Sequence, residues 1–204
     1  MTPDWQRLEK NAKVIIESIP EDTIPVYCFL AERLKTTADI SQDHVFQFLF
    51  RSFYGMENAG LTPAFKKRYF EIMQENRGKH PDIEKICTEL ELFENRKGQK
   101  TIQFSFVTKL ANTLVEDCPI YDAQIAILFD FSYPSNRDTR LATYLQYHQE
   151  IRHAYQQAET EGALKSCLAE FDTRFDESAK HIPTPRKLDF ICWAAGKRVE
   201  ASKL

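Results

Sequence analysis

The sequence predicts an all-α protein, and three observations carry that expectation. Apolar residues recur at helical spacing through nearly the whole chain, and no stretch alternates apolar with polar residues as a strand would. Thr-Pro pairs at Thr2-Pro3, Thr62-Pro63 and Thr184-Pro185 are helix-opening signals, with proline at the first helical position. Pro20, Gly55, Gly78 and Pro119 fall where the periodic segments stop or restart. Short capped segments of this kind build a compact orthogonal bundle of about eight to ten helices, not a coiled coil. At 204 residues one domain spanning 1–204 is the expectation, with 1–100 and 101–204 as the sub-lobes if it divides.

The elements follow in order. A first helix starts at Thr2-Pro3, turns Trp5, Leu8, Ala12, Ile15 and Ile16 inward, and stops at Pro20. A second runs from Pro25 to Lys35, and a third is capped by Ser41, buries Val45, Phe46, Leu49, Phe50 and Phe53, and closes at Gly55. The fourth, from Thr62-Pro63 to Gly78, carries Phe65, Tyr69, Phe70 and Met73. Pro81 opens a fifth with Ile83, Ile86, Cys87, Leu90 and Phe93. The run Glu94 to Lys100 reads as a solvated loop bearing Arg96, Lys97 and Lys100. Helices are then expected over 104–115, after Pro119 to Phe131, over 137–158, on to Phe175, and from Thr184-Pro185 to Gly196.

Composition closes off several classes. Apolar residues make up 43% of the chain, enough for a core without disulfides. The five cysteines are odd in number, widely spaced and lack a CxxC pair, so neither a disulfide framework nor a zinc site is expected; most read as small core hydrophobes. No signal-peptide pattern or long apolar run occurs, so the expectation is a cytoplasmic protein with no membrane partner. The ending Ser202-Lys203-Leu204 matches a peroxisomal address. The net charge of −3 denies the chain a global nucleic-acid affinity, so DNA binding would need a local basic patch. A monomer without cofactor is expected.

The common enzyme templates are absent: no GxGxxG, GxxxxGK[ST], HExxH or GxSxG occurs. His148 and His153 are five apart, about 140° around a helix, which is poor for a shared metal; both read as surface residues and no metal site is predicted. Two stretches remain, Phe104-Ser105-Phe106-Val107-Thr108-Lys109-Leu110-Ala111 and Cys118-Pro119-Ile120-Tyr121-Asp122-Ala123-Gln124-Ile125. Together they resemble the lysine helix and the proline–apolar–Asp turn of the helix-hairpin-helix DNA glycosylases. The resemblance is to the 8-oxoguanine DNA glycosylase-like branch with its bacterial members, and the Pro185 to Lys197 ending is similar to that group as well.

The resemblance covers the second half of the chain and implies a DNA-repair hydrolase with lyase activity. It implies that Lys109 is the nucleophile at the sugar C1′, that Asp122 stabilises the cation developing on the sugar, and that a flipped base sits between helices. A lysine near a helix start would meet the positive end of the dipole, which favours the free amine. Asp189 and Trp193, at i and i+4, could hydrogen-bond and stack the base, and Arg96, Lys97, Lys100, Ser105 and Thr108 could meet DNA phosphates. Where the family's hairpin carries glycines, this chain has none between Gly98 and Lys109, and Lys109 and Asp122 are only 13 residues apart. The residues also admit a plainer reading: Lys109 as a solvated flank, Asp122 as a helix cap, Trp193 as core. On that reading the chain is a non-catalytic α-helical interaction or adaptor protein.

Overall fold

A computed structural model describes residues 2–201, so the Ser202-Lys203-Leu204 ending lies outside the described residues. The described residues are all-helical and contain no strand. The elements are α1 (Trp5–Lys10), α2 (Ala12–Glu17), α3 (Thr23–Thr36), α4 (His44–Phe53), α5 (Pro63–Glu75), α6 (Ile83–Glu91), α7 (Phe104–Leu114), α8 (Ala123–Leu128), α9 (Arg140–Glu161), α10 (Lys165–Ala179) and α11 (Thr184–Glu200). Among the described residues no helix is long and apolar enough to cross a membrane. The chain divides into two compact units, Met1–Ile24 with Glu116–Leu204, and Pro25–Val115.

In the first unit α11 is the hub, packing against α8, α2, α10 and α9. Its buried stripe Leu188, Ile191, Cys192 and Ala195 follows helical spacing. The helix does not stop at Gly196 as expected from sequence but runs to Glu200. Gly196 serves close approach instead: a Cβ there would fall 2.1 Å from the carbonyl oxygen of Gln124, so only glycine lets α8 lie against α11. The expected first helix breaks at Asn11, whose side chain turns back to the Arg7 carbonyl at 2.8 Å, leaving α1 and α2. Both dock on α10. The Glu9 carboxylate accepts the Ser166 amide at 3.0 Å, supplying the cap that α10's own N-cap residue, Leu164, cannot. At the other end of the contact Arg174 donates to the Ile16 carbonyl.

The second unit is organised around rings. Phe46, Phe50, Phe65, Tyr69 and Phe70 are fully buried, and Phe50 meets Phe70 edge-on with centroids 5.6 Å apart. Such pairs add about 0.5–1.5 kcal/mol beyond area burial. The Tyr69 hydroxyl donates to the Phe106 carbonyl at 2.8 Å, tying α5 to α7, and burial pushes its pKa well up. Arg77 donates to the carbonyls of Leu34 (2.6 Å), Thr37 (2.8 Å) and Ala38 (2.9 Å), closing the C-terminus of α3. Thr62 caps α5 as the sequence predicts. The cap of α4 is Asp43, not Ser41, because Asp43 both accepts the Phe46 amide at 3.0 Å and pairs with Arg33 at 2.5 Å. The expected long loop at 94–100 is a tight turn. Asn95 accepts the Lys97 and Gln99 amides, Gly98 takes φ +71°, and the Arg96 amide bonds Gly60 O at 2.8 Å.

Candidate functional site

Lys109 belongs to the second unit. α7 begins at Phe104 as expected, so Lys109 is beyond its first turn, where the helix dipole acts weakly. The side chain is half-buried. Its Nζ lies 5.2 Å from the Phe106 ring centroid, 5.9 Å from that of Tyr54, and 3.4 Å from the Tyr54 carbonyl oxygen. Tyr54 is the C-cap of α4, so the Lys109 side chain rests on two rings beside the end of a neighbouring helix. The amine therefore has a defined seat and is not a solvated flank.

Among the other residues expected to meet DNA, Arg96, Lys97 and Lys100 are exposed on the 94–100 turn and Ser105 is half-buried. Thr108 is a correction: it is 0% exposed, and its hydroxyl donates to the Ser105 carbonyl at 3.0 Å, so it cannot reach a phosphate. It shares the buried α7 stripe with Phe104, Val107 and Ala111.

Asp122 belongs to the first unit and caps α8. Its Oδ1 accepts the amides of Gln124 at 3.0 Å and Ile125 at 3.1 Å, from an extended backbone. The preceding turn is gripped by buried side chains. Asp189 is 6% exposed; its Oδ1 accepts the Ile120 amide at 3.1 Å, and its Oδ2 lies 3.4 Å from Arg186 Nη1. Asp189 thus serves the approach to Asp122, not an open pocket. Trp193, one helical turn further along α11, is half-buried with Lys197 Nζ 4.6 Å from its ring centroid.

His148 is a second correction, being buried at 5% exposure instead of at the surface. Its Nε2 sits 2.9 Å from the Pro119 carbonyl, so that nitrogen carries the proton and donates. Burial, outweighing the Pro119 bond, takes its pKa down to about 4, and burial pushes the adjacent Cys118 thiol up to about 11. Cys118 Sγ is 3.6 Å from the same nitrogen, yet with both groups neutral the pair lacks the thiolate that nucleophilic chemistry needs. His153 is exposed. Among the described residues no cluster of three His, Cys, Asp or Glu side chains could hold a metal ion.

Beside Asp122 lies an aromatic group that the sequence reading did not assemble. Phe131 stacks on Tyr147 at 4.1 Å and 8° between planes, and Tyr121 lies nearly parallel to Tyr147 at 6.3 Å. Tyr144 meets Tyr121 edge-on at 5.2 Å. Burial chiefly, with the neighbouring hydroxyls adding to it, raises the pKa of Tyr121, so the phenol stays protonated. The signal available was the density of rings between 121 and 147.

Set against known proteins, the chain matches no family model, no curated protein and no solved structure.

Proposed function

We propose that the chain is a DNA glycosylase-like protein that removes a damaged or modified base, with Lys109 as the amine nucleophile and Asp122 as the carboxylate facing the developing charge on the sugar. The reading rests on the motif resemblance, and the observation that carries it is the seat of Lys109. A lysine kept for solubility extends into water, whereas this one is drawn against Phe106 and the end of α4. Asp122 supports the reading from its own unit, because both cap bonds fall on Oδ1 and anchor that carboxylate oxygen at the start of α8.

In this chemistry the glycosidic bond breaks as the base leaves with its electron pair, and the sugar becomes cationic at C1′. The anionic Asp122 would lower the energy of that cation. The Lys109 amine, as free base, would form the new bond to C1′; opening of the sugar ring and loss of the amine proton then give a Schiff base. The exposed Arg96, Lys97 and Lys100 would take phosphates, so binding should weaken steeply with salt.

The test is borohydride trapping on duplexes carrying 8-oxoguanine, uracil or an abasic site. The wild-type protein should give a covalent adduct and Lys109→Ala none. Asp122→Asn should keep the fold, since Asn caps about as well as Asp, and slow base release by roughly 10²-fold or more. No adduct and no base release on any of these duplexes, with no DNA binding at low salt, would remove the reading. The outer face of α4 favours a second reading, an interaction protein, because Val45 and Phe48 lie one turn apart and are 56% and 58% exposed.

A further inference from the structure

We infer that Arg186, Asp189 and His148 are positioning residues, a buried clamp on the 118–120 turn that fixes the Asp122 carboxylate; the catalytic consequence rests on the reading of Asp122 given above. Three consecutive residues of that turn are each held through the backbone by a different buried polar side chain. Cys118 O faces Arg186 Nη1 at 3.5 Å, Pro119 O accepts from His148 Nε2 at 2.9 Å, and Ile120 N donates to Asp189 Oδ1 at 3.1 Å. The three side chains are 3%, 5% and 6% exposed. They arrive from two helices, His148 from α9 and the Arg186–Asp189 pair from α11.

Holding a turn does not by itself demand this arrangement. Burying an ion pair and an imidazole is costly, and apolar residues of similar volume often stabilise as well or better. What a satisfied polar network adds is direction, since each bond has a preferred length and angle. The direction is delivered two residues later, where Asp122 takes the Gln124 and Ile125 amides on one oxygen. α8 is located from its far side as well, because Gly196 of α11 admits the Gln124 backbone at a distance no side chain would tolerate. The Asp122 carboxylate is thereby held by α11 on both sides of the cap. Placement to within about 0.5 Å is the precision a catalytic group needs, and an error of about 1 Å can cost roughly 10²-fold in rate.

The test uses the full chain with His148→Leu, which deletes the donor to Pro119, and His148→Gln, whose side-chain amide places an N–H where Nε2–H was. Asp189→Ala serves as a second disruption. Amide hydrogen exchange is read at Gln124 and Ile125, the reporters of the Asp122 cap, against amides in α9, α10 and α11. Single-turnover base release and binding affinity are read on a duplex with one 8-oxoguanine. The clamp predicts exchange at Gln124 and Ile125 accelerated at least tenfold beyond the rest of the unit in His148→Leu. It predicts base release slowed by roughly 30- to 100-fold with affinity within about twofold, and most of both losses restored in His148→Gln. A merely structural role loosens the unit evenly and shifts no single pair of amides; that outcome overturns the inference, as does a wild-type rate in folded His148→Leu and Asp189→Ala. If the wild-type protein releases no base, the functional reading fails, and the amide pattern still decides the clamp: selective exchange upholds it and even exchange overturns it.

Discussion

Gly196→Ala is a substitution whose sign is decided by one contact. Gly196 lies inside α11 with ordinary helical backbone, and there alanine normally exceeds glycine by about 1 kcal/mol in helix propensity. Without a neighbour the change would therefore stabilise. The added Cβ, however, would lie 2.1 Å from Gln124 O, 2.7 Å from its carbonyl carbon and 3.2 Å from its Cα. These are backbone atoms, so no rotamer change relieves the overlap, and α8 must retreat by roughly 1 Å to restore carbon contacts near 3.5 Å. Overpacking costs about 1–3 kcal/mol, and an overlap this short against backbone atoms falls at the upper end of that range, above the propensity gain. The expected net is a loss of about 1–2 kcal/mol, or a fall in Tm of roughly 2–8 °C for a protein of this size. Urea unfolding followed by circular dichroism, with unchanged helix content in the native baseline, measures it. A variant as stable as the parent, or more so, would refute the close-approach argument for this glycine.

Further outcomes follow from the buried titrating groups and the caps. His148 has a folded pKa of about 4 against an ordinary 6.5, so below pH 6.5 the unfolded chain binds the extra proton. Stability should be full above that value and decline by up to about 3 kcal/mol toward pH 4, and His148→Gln should flatten this slope in pH-dependent urea unfolding. Asp43, whose bond from Arg33 holds it at about 2, contributes stability that is present above its ordinary 3.8 and lost as pH falls toward 2. Arg33→Ala should weaken that acid limb, and only modestly lower stability at pH 7, the pair being half open to solvent. Tyr69→Phe should cost about 1 kcal/mol by thermal unfolding, since it deletes a buried bond to Phe106 while keeping the ring.

Local signals in the sequence located most of the helices, because the physics that starts and stops a helix is written within a few residues. Thr62-Pro63, Phe104 and Thr184-Pro185 all mark real starts, and Asp122 does cap a helix. The cap at Asp43 was not legible, since its advantage over Ser41 comes from Arg33 on another element. Gly196 misled for the same reason: glycine signals a stop in sequence, and only the packed α8 shows that it signals proximity. The burial of His148 was readable. It falls on the face of α9 that also holds Tyr144, Ile151 and Tyr155, whereas its spacing from His153 tests only shared metal ligation. Thr108 was readable in the same way, between Phe104 and Ala111 on the inner side of α7. The clamp on residues 118–120 had only a faint trace, the Arg186 and Asp189 pair three apart. No local pattern joins His148 to Pro119 across 29 residues.

The first unit is assembled from the two ends of the chain, with Pro25–Val115 inserted between them. That order has a consequence for biogenesis. Leu8, Ile15 and Ile16 leave the ribosome well before α10, which they cover, and the Glu9 bond to Ser166 spans 157 residues. During synthesis the nascent chain must hold an apolar amphipathic segment without its mate while ninety-one residues of another unit are completed. Contacts of such sequence separation form late and slow folding. Translation stalled before α10 should leave a nascent chain in which α1 and α2 are open to proteases and to chaperones that recognise apolar segments, while the inserted unit is already protected.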